Sequence, residues 1–221
     1  MKSHHLFKHV KCLFIDFDGT LVDTIPILFK NYLAFLKKFG REGSQKEFES
    51  LIGPSIEEFV PILKERYLLA ESSHTLTQIY LDGLADQYKE EAQLLNGALD
   101  FLTLAKRLNL QMTLVTSSSY SLIEKSLNAL DLKKFFSHLI TGDQVKKTKP
   151  DPEIYYRALK ICRVSPHESL AFEDSLNGLK AAIEARIPTI AIKNSLLVQV
   201  PPEVKMTEDW PTLTRLLAQT T

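Results

Sequence analysis

The residues of this chain that could do chemistry fall into four short runs. Asp16-Phe17-Asp18-Gly19-Thr20 places two carboxylates at i and i+2 after an apolar segment, so both leave an extended backbone on the same side. Thr116-Ser117-Ser118-Ser119 offers hydroxyls and backbone N–H groups, the makings of an anion seat. In Lys146-Lys147-Thr148-Lys149-Pro150-Asp151-Pro152, two prolines stiffen the chain around Lys149 and can aim its ammonium inward. Glu173-Asp174-Ser175 is a second acidic pair. Taken singly, each run has an ordinary explanation: an Asp-Gly turn, capping by Ser119 or Ser121, a solvated basic loop, acids at a helix N-terminus. Taken together, Asp16, Asp18, Glu173 and Asp174 would gather up to four negative charges, which cannot all ionise at their ordinary pKa values when in contact. A hard divalent cation offsets them, and Mg²⁺ fits because it needs few carboxylates and keeps waters. Lys149 with the Thr116 and Ser117 donors would then face an anion opposite the metal, the equipment of phosphoryl transfer.

Such a site needs elements that bring the four runs together. Val10 to Phe17 is apolar and compact (Cys12, Leu13, Phe14, Ile15), short enough for a buried strand. After Thr24, a potential cap, and Pro26 just inside the helix start, Leu28, Tyr32, Phe35 and Phe39 recur at helical spacing until Gly40. Ser44 with Glu47 and Ser55 with Glu58 read as capping boxes, Pro61 should kink or restart the second helix, and a further helix should run from Leu76 to about Glu91. From Asn96 onward helices alternate with short apolar segments at 110–115, 139–141, 170–172 and 189–192, which predicts βα units on a parallel sheet. The expected fold is therefore α/β: a Rossmann-like parallel-sheet core formed by 1–23 and 96–221, with an all-helical cap, 24–95, inserted after the first strand. In such sheets ligands bind beyond the carboxyl ends of the strands, where all four runs fall.

Composition narrows the function classes. The 221 residues carry 27 Lys+Arg against 27 Asp+Glu, a net charge of zero, so a polyanion-binding surface is not expected: no nucleic acid and no membrane as partner. No run approaches the ~18 apolar residues of a membrane span, and no signal-peptide pattern opens the chain, so a cytoplasmic location is expected. Cys12 and Cys162 are too few for a disulfide scaffold and read as small core residues. His4, His5 and His9 belong to an N-terminal arm, and Trp210 opens a docked terminal helix.

In their order and at these strand ends, Asp16-Phe17-Asp18-Gly19-Thr20, Thr116, Lys149-Pro150 and Glu173-Asp174-Ser175 resemble the four motifs of the haloacid dehalogenase-like hydrolase superfamily, over about Cys12 to Ile192. The resemblance implies Asp16 as nucleophile forming an aspartyl-phosphate, and Asp18 as general acid and then base. It implies Thr116 and Lys149 as stabilisers of the phosphoryl group, with Gly19, Thr20 and Ser117 binding phosphate. Mg²⁺ would sit on Asp16, the Asp18 carbonyl and Asp174, with Glu173 direct or through water. Family dehalogenases lack the second acid, so Asp18 favours a phosphatase or phosphomutase, and Ile52-Gly53-Pro54-Ser55-Ile56-Glu57-Glu58 is similar to the cap segment of phosphoglycolate phosphatases. β-Phosphoglucomutase relatives carry an Arg there, where this chain has Ser55 and Ile56. The expectation is a Mg²⁺-dependent phosphatase acting on a small phosphorylated metabolite, phosphoglycolate-like or a sugar phosphate, as a monomer with a homodimer as alternative. Its rivals are a phosphomutase, an inorganic pyrophosphatase and a silent binding module. Asn96, Thr148 and Arg186 depart from the family pattern at turn positions.

Overall fold

The computed structural model describes residues 6–51, 55–194, 196–197 and 199–219. His4, His5 and Ile52-Gly53-Pro54 lie outside them. The sheet is built from β1 (Cys12–Ile15), β2 (Gln111–Val115), β3 (His138–Ile140), β4 (Ser169–Glu173), β5 (Thr189–Ile192) and β6 (Lys205–Thr207). All pairings are parallel and the order is β3-β2-β1-β4-β5-β6. The last strand was not expected. Its burial is slight (Lys205 and Met206 are exposed), so it lacks the apolar run that betrays the others.

β1 is buried throughout, and its side chains alternate between two apolar layers. Leu13 and Ile15 join the layer of Phe101, Phe172 and Trp210, whereas Cys12 and Phe14 join that of Tyr155, Ala158 and Ala181. A strand covered on both faces reads as a continuous apolar run, which is why its period of two is invisible in sequence. The covering helices are α5 (Ala98–Arg107), α6 (Tyr120–Ala129), α7 (Glu153–Cys162), α8 (Leu176–Glu184) and α9 (Trp210–Ala218). Arg186 follows α8 with a φ of 60°, a left-handed turn that glycine would adopt at lower cost.

Between β1 and α5 lie four helices: α1 (Ile25–Lys38), α2 (Gln45–Leu51), α3 (Ile56–Tyr67) and α4 (Ser73–Glu91). They enclose an aromatic core of Tyr32, Phe35, Phe48, Phe59 and Tyr80. Two local expectations need correction, and the one for Pro61 loses its restart alternative. Thr24 precedes α1 without accepting a capping hydrogen bond through its side chain. α3 continues through Pro61 instead of restarting there: packing of Phe59, Val60 and Leu63 outweighs the one backbone bond that proline removes. α4 begins at Ser73, capped by Ser72, which accepts from the Thr75 N–H at 3.1 Å.

Candidate active site

Register places the chemistry. Ile15 pairs with Leu114 on one side and Phe172 on the other, so Asp16, Val115 and Glu173 stand level at the carboxyl edge. The chain runs from β1 outward to β2 and β3, then returns to β4 on the opposite side. The crevice between β1 and β4 is therefore the topological switch point where open α/β sheets bind ligands. A cavity of about 520 Å³ opens there, with Asp16, Asp18, Thr116, Ser117, Lys149 and Asp174 in its wall.

Lys149 is the hub. It is 4% exposed, and its Nζ donates to Asp16 Oδ1 at 2.7 Å and to the Val115 carbonyl at 2.7 Å, while lying 2.6 Å from Glu173 Oε1. Burial by itself would lower its pKa, but the Asp16 and Glu173 carboxylates outweigh it and hold the ammonium charged. Glu173 is fully buried and also accepts from the Tyr155 hydroxyl. Burial first, with Asp16 adding repulsion, raises its pKa to about 7 despite Lys149. Its Oε2 has no hydrogen-bond partner and packs against Gly178, where a Cβ would come within 1.9 Å. Only glycine leaves room for it there.

Asp174 is held by residues from two segments. Thr20 donates to its Oδ1 at 2.9 Å and Asn194 Nδ2 to its Oδ2 at 2.6 Å, while Asn194 Oδ1 accepts from the Leu196 and Leu197 N–H groups. Burial, followed by the charges of Asp16 and Glu173, raises the Asp174 pKa well above its ordinary value. Gly19 has a φ of 76°, and a Cβ there would sit 2.2 Å from Asp174 Oδ2. Both its conformation and the close approach require glycine.

Asp18 points elsewhere. Its Oδ2 accepts from Ser118 Oγ at 2.6 Å and its Oδ1 from the Tyr88 hydroxyl on α4. Burial, then the neighbouring Asp16 charge, raises its pKa against these two donors. Thr116 is buried, its Oγ1 accepting from the Ser118 N–H at 3.1 Å.

Two residues expected to bind phosphate are placed otherwise. Thr20 is fully buried with its hydroxyl spent on Asp174, and the Gly19 N–H donates to the Val22 carbonyl at 2.8 Å. Both shape the acidic cluster, while Ser117 does reach the cavity. Sequence reasoning missed Tyr88, Ser118, Tyr155 and Asn194. Ser118 sits within a run it singled out; the other three carry no local pattern.

Asp16, Glu173 and Asp174 each present an oxygen, all within 4.8 Å of one another. Three carboxylates against one lysine form an all-oxygen, charge-excess donor set that suits a hard divalent cation. Asp16 and Asp174 line the cavity, whereas Glu173 stands behind them on Lys149.

The sequence pattern of the haloacid dehalogenase-like hydrolases matches residues 13–192. The phosphorylated carbohydrates phosphatase of Thermotoga maritima is 30% identical, over 82% of this chain and 84% of its own. A phosphoglycolate phosphatase of Thiobacillus denitrificans is 28% identical, over 87% and 86% respectively. CbbY from Rhodobacter sphaeroides, solved in complex with phosphate, superposes with a TM-score of 0.83 over 92% of this chain and 96% of that one; at 23% identity it speaks to the fold.

Proposed function

The chain belongs to the haloacid dehalogenase-like hydrolases, and from that premise we propose that it is a Mg²⁺-dependent phosphatase hydrolysing a small phosphomonoester through an aspartyl-phosphate. The observation that carries this reading is Lys149, which ties Asp16 to Glu173 at the cavity wall beside a separately held Asp18. Asp16 attacks phosphorus, and the bond to the ester oxygen breaks as that oxygen takes the proton of Asp18. Asp18 then accepts a proton from the water that cleaves the aspartyl-phosphate and releases inorganic phosphate. Its raised pKa suits a group that must carry a proton near neutrality. Lys149 aims the Asp16 carboxylate, and with Thr116 and Ser117 it stabilises charge on the transferring group.

Asp16, Asp174 and the Asp18 carbonyl would hold Mg²⁺, which when bound neutralises charge on the phosphoryl oxygens. In this reading 24–95 acts as a cap over the core. It contributes Ile25, Leu28, Glu49, Ser50, Ser55, Ile56 and Tyr88 to the cavity wall. None of these described cap residues is cationic, so among them the cap brings no positive charge to the cavity wall to hold a second phosphate. That favours hydrolysis over a mutase reaction.

Asp16→Asn and Asp18→Asn should each cut Mg²⁺-dependent phosphate release from a sugar monophosphate by at least about a hundredfold. Full turnover in both variants would sink the proposal. Isomerised sugar phosphate in place of free phosphate would make the enzyme a mutase.

A further inference from the structure

Part of the cavity wall is not used by the phosphoryl chemistry. Besides the catalytic residues, the cavity is lined from the cap by Glu49, Ser50 and Ser55 and from the core by Leu176 and Lys180. Glu49 lies on α2, where its Oε1 accepts from Gln45 Nε2 at 2.8 Å, and Lys180 lies exposed on α8. Among the described residues these two are the only charged side chains of the wall outside the catalytic set, one of each sign. A carboxylate or second phosphate on the leaving group would need net positive charge there, and Glu49 cancels what Lys180 supplies. A polyol needs something else: acceptors and donors together, against an apolar floor. Glu49 accepts, Lys180 donates, and Ser50 and Ser55 carry hydroxyls that can do either.

We infer that this wall is a subsite for an uncharged, hydroxyl-bearing leaving group, with Glu49 and Lys180 as the residues that determine specificity. The inference rests on the phosphatase reading and deepens it. It separates the sugar-phosphate half of that reading from the phosphoglycolate-like half, because phosphoglycolate's leaving group carries a carboxylate and Glu49 and Lys180 together give this wall no net charge.

Two substrates with the same ester and chain test it: glucitol 6-phosphate, ending in CH₂OH, and 6-phosphogluconate, ending in a carboxylate. With Mg²⁺ present, kcat/KM should favour glucitol 6-phosphate by at least about fivefold, the size of a solvent-screened like-charge contact. Glu49→Gln should shift the ratio toward 6-phosphogluconate, and Lys180→Gln should shift it the other way. Preference of the unaltered enzyme for 6-phosphogluconate would overturn the inference, as would ratios that neither substitution moves. p-Nitrophenyl phosphate serves as a control. Hydrolysis of that ester with no preference between the two sugar derivatives refutes the subsite alone. Failure to hydrolyse any of the three refutes the phosphatase reading, and the subsite with it.

Discussion

Asp18 accepts one hydroxyl on each oxygen, Ser118 from the core and Tyr88 from α4. The clamp fixes the orientation of the Asp18 carboxyl group. Tyr88 is almost fully buried, and the Ser126 hydroxyl donates to its backbone carbonyl at 2.7 Å, so this turn of α4 is tied to α6. If the clamp serves proton transfer, its value depends on the leaving group. Tyr88→Phe should lower kcat for an alkyl phosphate by about tenfold, the loss of one hydrogen bond to a charged group, yet leave phosphorylation by p-nitrophenyl phosphate much less affected. Steady-state and burst kinetics with both substrates check this; an equal fall with both would mark Tyr88 as merely structural. Nothing near position 88 announces this role, since its partner lies 70 residues earlier and only the folded chain joins them.

Among the elements, α2 is the one that cannot stand alone. Seven residues are far below the length at which a helix persists in water. Phe48 anchors it, its ring 5.2 Å from Phe29 and 5.6 Å from Tyr32. Glu47 anchors it again, accepting from the Tyr32 and Tyr67 hydroxyls and from Arg66 at 2.8 Å. The expected capping box is thus half made: the Glu47 N–H donates to Ser44 Oγ at 3.2 Å, but the carboxylate turns inward to these three donors. Those donors hold its pKa below the ordinary value although burial pushes the other way. Glu47→Ala should therefore cost about 2 kcal/mol by removing the acceptor shared by the part-buried Tyr32 and Tyr67 hydroxyls and Arg66. Glu49→Ala, one turn face away and exposed, should stay within about 0.5 kcal/mol. Urea unfolding midpoints compare the two, and equal costs would show that the Glu47 network contributes nothing.

At the scale of the whole molecule, a net charge of zero conceals a concentrated imbalance. Glu173 and Asp174, buried beside Asp16, have raised pKa values in the metal-free protein, Glu173 at about 7. A carboxyl group whose folded pKa is raised stabilises most below its unfolded value near 4.5 and loses that contribution as pH climbs toward 7. The metal-free protein should accordingly lose stability across that interval. Binding of a divalent cation needs the ionised acids, so Mg²⁺ should raise Tm more at pH 8 than at pH 6. Thermal melts in Mg²⁺ and in chelator at the two pH values measure it; an equal or larger rise at pH 6 would contradict the acidic cluster as the metal seat.

Much of this could be read without coordinates. Short apolar runs, each closed by an acid, a hydroxyl or a lysine, determined the parallel sheet and the edge where chemistry belongs, because burial and strand-end position leave local marks. The helical stretch after Thr24 was legible for the same reason, through its period. Other features depend on which side chains meet, and only tertiary structure decided those. Thr20 turned from an expected phosphate ligand into a brace for Asp174 because it lies beneath the strand edge. Asn194 became the second brace because β5 ends beside β4. β6 pairs through backbone groups that any sequence supplies. Glu49 and Lys180, 131 residues apart, line one cavity because the fold brings α2 and α8 to it. Hydrogen bonds and charge pairs across such distances leave no spacing to detect, whereas the hydrophobic periodicity that builds the elements must be written in every turn.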